Sequence, residues 1–414
     1  MLLSDITEAI VDCEHKTAPE GDGYAYSVGT KAMKGGRLVM TATKPVSAET
    51  YAGWTRRMRP KTGDLILARE APVGDVVRVP EQPLVCLGQR TVLIRPDASK
   101  VHPRFLHYWL LGPDAQGVMR AQTGGATVGH LNVEDIRKLN VEPMPTDARH
   151  QANAAEILGA IDDLIENSRR RAEVLEDIAR TVFREWFLKF RYPGHADVPL
   201  VDSALGPVPE RWQILPASRA IIINPRIKLD KTVGHPFIAM GDLDEKSMGC
   251  RPSEVRSSGS GAKFERGDTL FARITPCLQN GKTGLVQTLA EGEVGLGSTE
   301  FIVLRGQLVG SAYTYCLARE DSFRGHAIAS MSGASGRQRV RNECFDTYLI
   351  ALPPQDLADK FESMLEPLFA EIAVLLNEVE RLQALRDLLL PKLVTGQIDM
   401  SMLSPNELLG ELAA

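Results

Sequence analysis

The sequence predicts an α+β protein: two tandem domains, each a curved β-sheet with helices, separated by two long helices that pair antiparallel as a coiled coil. Three observations predict it. The chain repeats itself: KTGDLILAR at Lys61–Arg69 returns as ERGDTLFAR at Glu265–Arg273, 204 positions later. Val85–Thr91 returns at Val294–Glu300, and Thr123–Pro145 at Ser332–Pro354, both 209 positions later. After each copy the apolar period changes from two to about 3.5. Ordered matches on nearly one offset indicate duplication of a whole domain.

Within each copy, short β-like runs are broken by glycine, as at Leu65–Ala68, Val76–Val79, Thr91–Ile94, Leu270–Ala272, Leu285–Val286 and Phe301–Leu304. One helix per copy is expected, around Phe105–Leu111 and around Ala312–Leu317. In the first helical stretch Ile161, Ser168, Leu175 and Val182 recur every seven residues, with Ile157, Leu164 and Ile178 on the partner positions. In the second, Leu368, Leu375, Leu382 and Leu389 recur likewise, beside Ile372 and Val379. Asp147 to Phe190, if helical throughout, spans roughly 65 Å at about 1.5 Å per residue. Pro367 is expected to restart or kink the second helix, and Pro391 to end or bend it. Tyr192–Trp212 holds four prolines and is expected to run extended over the surface. The resulting layout is a first domain over 1–146, a helix over 147–191, a link over 192–212, a second domain over 213–355, a helix over 356–398 and a tail over 399–414. Antiparallel helices would place the copies at opposite ends of a rod, related by a pseudo-two-fold axis.

The bulk numbers narrow the function. The 414 residues, 43% hydrophobic and 24% charged, suit a globular protein of two or three domains. No leader pattern or apolar stretch near about 18 residues occurs, so a cytoplasmic protein without membrane contact is expected. The six cysteines include no CxxC pair, so neither zinc nor a disulfide framework is expected. The net charge of −5 divides unevenly: +2 over 1–146 and +3 over 205–355, but −3 over 147–204 and −7 over 356–414. The copies are mildly basic and the stretches after them acidic. Glu362, Glu366, Glu371, Glu378, Glu380 and Asp387 form either a solvated face or a docking face, turned away from any duplex.

Two similar sites at fixed geometry suit double-stranded DNA. Base reading needs Arg, Lys, Asn or Gln on loops, and phosphate contacts add Ser, Thr and backbone N–H groups. The first copy offers Arg56, Arg57, Arg59 and Lys61, then Arg69, Arg90 and the Thr123–Thr127 loop, with Thr123 and Thr127 themselves as candidates. The second offers Arg256, Ser258 and Lys263, then Arg273, Asn280, Lys282, Arg337, Gln338, Arg339 and Arg341. Arg69 and Arg273 hold equivalent positions and suit either a shared phosphate contact or a shared structural ion pair. Asp64 and Asp268 suit turn capping.

PCLQNGKT at Pro276–Thr283 lacks the first glycine of a phosphate-binding loop and reads better as a hairpin loop. No [DN]PP[YF] tetrapeptide occurs, and no HExxH, GxSxG or Cys–His signature. A fused enzyme is thereby disfavoured, and a coiled-coil adaptor that binds only protein is the rival reading.

Taken together, the repeated G-D-x-hydrophobic-x-A-R block (Gly63–Arg69, Gly267–Arg273), the loop TGGATVGHLN (Thr123–Asn132), the prolines before each long helix, LGPVPERW (Leu205–Trp212) and LLLPKLVTGQID (Leu388–Asp399) resemble the specificity subunit of a type I restriction-modification system. The resemblance spans essentially the whole chain. It implies two target-recognition domains reading a split DNA sequence, and a chain without its own active site. The helices, with Ile161, Leu164, Leu175, Ile178, Leu368, Leu375, Leu382 and Leu389, would space the domains and dock two modification methyltransferase subunits. Restriction/translocase subunits would join. No cofactor is expected on this chain; S-adenosylmethionine, and ATP with Mg, are implied for the partners.

Overall fold

The computed structural model describes residues 1–122, 129–334 and 336–401. It divides into two compact units, Met1–Ile165 with the chain from Arg381 onward, and Glu166–Glu380. Both long helices are cut by this division.

In the first unit, a four-stranded antiparallel sheet runs in the order Thr7–Asp12, Thr91–Pro96, Leu65–Ala68, Val76–Arg78. Leu65–Ala68 is buried at every position, so its apolar run lacks the alternation of a half-exposed strand. A second sheet orders Lys44–Val46, Ala25–Val28 and Val85–Leu87, the last pair parallel. The helix Pro103–Leu111 starts on proline, capped by the His102 side chain, and buries Phe105, Leu106, Tyr108, Trp109 and Leu110.

The second unit repeats the plan. Ile221–Ile223, Phe301–Gly306, Thr269–Ala272 and Thr283–Leu285 form its main sheet. Glu254–Arg256, His235–Ile238, Gly295–Gly297 and Lys263–Phe264 form the other, again with a parallel central pair. The helix is Ser311–Arg319. Registers match: Leu65 faces Ile94, and Thr269 faces Leu304. They also refine the repeat. Ala68 faces Thr91 while Ala272 faces Phe301, so this segment aligns 210 positions apart rather than 209.

The long helices are Ala148–Phe183, continued by a π-helical turn at Arg184–Leu188, and Gln355–Val394. Within the first unit His150 Nε2 donates to the Leu393 carbonyl at 2.9 Å, and Asp162 meets Arg386 at 3.2 Å. Within the second, Ser168 donates to Glu378 at 2.8 Å and Arg171 pairs with Glu371 at 2.8 Å. Rising numbers meet falling ones in both units, so the pairing is antiparallel.

Three expectations are corrected. On the first helix the buried positions beside Ile161 and Ser168 are Leu158, Ile165, Ala172 and Ala179, whereas Leu164 and Ile178 are each 45% exposed. The seam uses the i+4 partner, and alanines fill it because small side chains let helices approach. The second helix does not restart at Pro367 but runs through it, and it ends at Val394, three residues after Pro391. Each proline removes one backbone bond, and the buried Leu365, Phe369 and Ile372 hold the turns around Pro367 in place. The link does not simply run over the surface. Leu200–Val201 pairs with Val208–Pro209, and Tyr192, Val208 and Trp212 are buried. Trp212 packs on Phe187, Phe190 and Tyr192, so aromatic burial folds the proline-rich segment back.

Among the described residues, no helix is long and apolar enough to cross a membrane.

Candidate nucleic-acid interface

The buried strand Leu65–Ala68 delivers Arg69 at its end. Arg69 Nη1 donates to both Asp12 carboxylate oxygens, at 2.9 and 3.0 Å, and the side chain is almost wholly buried. His130 sits between Arg69 and Glu70: its Nε2 is 3.2 Å from Arg69 Nη2 and its Nδ1 2.5 Å from Glu70. An Nδ1–H donating to Glu70 leaves Nε2 to accept from Arg69, so one neutral tautomer satisfies both contacts. Glu70 also pairs with Arg90 at 3.1 Å.

The second unit builds the same frame with other side chains. The Arg69 N–H donates to the Arg90 carbonyl, and the Leu131 N–H to the Arg69 carbonyl. Likewise the Arg273 N–H donates to Glu300, and the Val340 N–H to Arg273. In both units the first bond ties the repeated block to the residue before the neighbouring strand, and the second ties it to the end of the small-residue loop. Arg273 donates to the Val340 carbonyl at 3.1 Å, and Arg339 forks onto Glu300 at 2.6 and 2.8 Å. The two arginines therefore share a position but not an ion pair. Exposed Arg337 and Arg341 stand on this loop, Arg341 donating to Ser332 Oγ at 3.0 Å, and Gln338 meets Thr275 through its backbone.

The other candidates scatter. Arg56 donates to Glu14 at 3.0 Å, and Arg57 lies over the Asp12 and Cys13 carbonyls. Arg59 and Lys61 are exposed nearby. Thr123 and Thr127 lie outside the described residues. Arg256 sits 3.4 Å over the Phe237 ring and Ser258 is exposed. Lys263 reaches the Ile227 carbonyl, Asn280 donates to Glu245, and Lys282 to the Met240 carbonyl at 2.9 Å. Pro276–Lys282 is a chain of tight turns closed by Asn280 N to Pro276 O and Lys282 N to Cys277 O, leading into the strand Thr283–Leu285.

On the helices Ile161 and Leu375 are buried, Leu175, Leu368, Leu382 and Leu389 half-buried, and Leu164 and Ile178 exposed. The acidic residues are partly committed. Glu362 accepts the backbone N–H groups of Ala312 and Tyr313, Glu371 holds Arg171, and Glu380 holds Arg251. Burial raises the Glu362 carboxyl against these bonds. Sequence reasoning missed Glu176, which is buried and accepts from Met248 N at 2.8 Å and the Tyr315 hydroxyl at 2.5 Å. Its only sequence signal is an acid on the apolar side of a helix.

Asp12, Cys13 and His15 bring their ligand atoms within 4.8 Å of one another. Arg69 already occupies both Asp12 oxygens, and a guanidinium there opposes a cation.

No protein-family model matches the chain. It is 24% identical over 359 residues to the type I restriction enzyme MjaIX specificity subunit of Methanocaldococcus jannaschii, covering 83% of this chain and 79% of that protein. It is 29% identical over 154 residues to the type I restriction enzyme EcoEI specificity subunit of Escherichia coli, covering 36% and 26%. The crystal structure of the type I restriction-modification system S subunit from M. genitalium matches the fold with a TM-score of 0.58 at 13% identity, over 95% of each chain. In sequence over most of its length, and in fold over nearly all of it, the chain resembles the specificity subunits of type I restriction-modification systems.

Proposed function

We propose that the chain is a non-catalytic DNA sequence-specificity subunit of a type I restriction-modification complex. Residues 1–146 and 213–355 are its two target-recognition domains, each reading one short block of a bipartite double-stranded target. The helices at 147–191 and 356–398 set the gap between the blocks and dock two modification methyltransferase subunits, with restriction/translocase subunits joining. Residues 192–212 link the halves and 399–414 form the tail. The chain makes and breaks no bond and holds no cofactor: S-adenosylmethionine, and ATP with Mg, belong to the partners.

One observation carries this reading. A sheet order and register built twice in one chain accompany similarity to a specificity subunit over 83% of the chain. Duplicated frames with different side chains suit a ligand that presents two different blocks on one backbone. Phosphate contacts would make binding weaken steeply with salt.

The test is co-expression with the modification subunit of the same genome, followed by mapping of methylated adenines. A motif of two short blocks around a constant gap is expected. Methylation by this chain alone, or none with the partner present, would overturn the reading.

A further inference from the structure

The two units differ most sharply at one edge of the small sheet. In the first unit Val46 lies opposite Ala25 and is fully buried; in the second Arg256 lies opposite His235, the same register position, and is exposed. The covering differs too. After Val46, Ser47 caps a helix, Ala48–Trp54, and Tyr51 closes over Val46, Ala25 and Cys86. After Arg256 no helix follows. Ser257–Ala262 arches across the end of the sheet to its opposite edge, at Lys263–Phe264. The arch is held down: a Cβ on Gly261 would lie 1.7 Å from the Gly297 carbonyl oxygen, and the Gly297 N–H donates to Ala262.

What replaces the helix has a charge and a shape. The edge strand Glu254–Arg256 is exposed at every position, with Val255 70% exposed. The loop 224–234 leads into His235–Ile238, the strand next to that edge, where a Cβ on Gly234 would lie 2.6 Å from Val255, and Lys263 on the opposite edge donates to its Ile227 carbonyl at 3.3 Å. Arg226, Lys228 and Lys231 are exposed on that loop. With Arg256 they make four cations against two acids. Asp230 spends its carboxylate on the Thr232 N–H and hydroxyl, and Glu254 pairs with Arg256. The guanidinium of Arg256 lies 3.4 Å over the Phe237 ring, which fixes its plane, and its Nη2 donates to the exposed Glu254, a partner that a base acceptor would displace. A planar fork presented on an exposed strand edge matches the paired acceptors of guanine in the major groove. Lysines on a neighbouring loop match phosphates, which position the protein without choosing bases.

We infer that this edge is the base-reading element of the second unit: Arg256 reads a base pair in the major groove, and Arg226, Lys228 and Lys231 hold the flanking phosphates. The inference rests on the proposed DNA-specificity role. It goes further in locating the choice of bases at the element that the two copies do not share, rather than at the repeated block, which they do.

The test uses the full chain with its modification subunit and a set of duplexes in which each base pair of the mapped motif is changed in turn. Arg256→Ala, and Arg256→Lys with the charge kept and the fork lost, are expected to reduce discrimination at one base pair of the second unit's block by about ten-fold or more, leaving the other block unchanged. Lys228→Ala with Lys231→Ala is expected to weaken all duplexes alike and flatten the salt dependence. These side chains are exposed, and thermal unfolding of each variant identifies any that misfolds. Arg226→Ala then serves as the independent substitution, and it too must weaken all duplexes alike. An unchanged preference in both Arg256 variants overturns the inference. So does uniform loss across all duplexes in well-folded Arg256 variants, because the edge would then bind without choosing. Absence of any split motif with the wild-type chain instead sinks the DNA-specificity reading itself.

Discussion

Asp64 and Arg95 hold each other through two hydrogen bonds, Nε to Oδ1 at 2.9 Å and Nη2 to Oδ2 at 2.7 Å, and Asp268 and Arg305 repeat both at 2.7 Å. Each aspartate also accepts the backbone N–H three residues before it, Lys61 or Glu265. Both carboxylates are nearly inaccessible to solvent. Asp64→Asn and Asp268→Asn keep a capping oxygen and remove the charge. Asp64→Asn is expected to cost about 3 kcal/mol, because Arg95 is left without its counter-ion in a desolvated site, and Asp268→Asn to cost less, because Arg305 keeps Glu265 at 2.8 Å. Denaturant unfolding with hydrogen exchange at 65–68 and 269–272 measures this unit by unit. A cost below about 1 kcal/mol would mean that turn capping alone matters.

Arg69 and Arg337 should behave oppositely. Arg69 is buried on Asp12, so Arg69→Ala is expected to destabilise the chain by about 3 kcal/mol. Arg337 is exposed, so Arg337→Ala should leave unfolding unchanged, weaken duplex binding at every sequence and lower the salt slope by about one. Duplex titrations at several salt concentrations, paired with urea unfolding, separate the two.

Gly310 makes room for Glu362. A Cβ on Gly310 would lie 2.0 Å from the Glu362 carboxyl carbon, and that carboxylate takes the N–H groups of Ala312 and Tyr313 at the start of the helix Ser311–Arg319. Gly310→Ala and Glu362→Ala are each expected to cost about 1 kcal/mol through the same lost cap. The double variant should lose little more than either single one, which a double-mutant cycle reads directly.

Glu176 gives a pH signature. Burial pushes its carboxyl above the usual range, against the pull of Arg319, the Tyr315 hydroxyl, the Met248 N–H and Arg180. A carboxyl raised in the folded state adds stability below its ordinary value, near 4.3, and loses that contribution as pH rises through the raised one. Glu176→Gln should therefore remove a downward step in stability between about pH 4 and the raised value. Urea midpoints from pH 4 to 8 check it; a variant that follows the wild-type slope would contradict it.

Much of the fold was legible because it lies in local pattern. Leu65–Ala68 follows a glycine–aspartate turn and was placed residue for residue, and Phe105–Leu111 lacks only the two residues that start its helix. What was missed depends on partners remote in sequence. Asp64 and Arg95 are 31 residues apart, and nothing local marks them as a pair. Ala172 and Ala179 carry the helical seam with too little side chain to stand out, while Leu164 and Ile178 advertise a seam they do not join. In the link, four prolines outweighed the aromatic residues at its ends, which decide where it goes. The candidate site was half legible. The arginines of the 337–341 loop stood out as a cluster, but the strand bearing Arg256 became distinctive only beside its buried counterpart, Val46.

The most direct measurement is a domain exchange. Residues 1–146 are replaced by those of a relative with a different methylated motif, the chimaera is expressed with the modification subunit, and methylated adenines are mapped. One block of the motif should become the relative's, while the other block and the gap stay as they were. A motif altered in both blocks, or in neither, would contradict two independent reading domains on one chain.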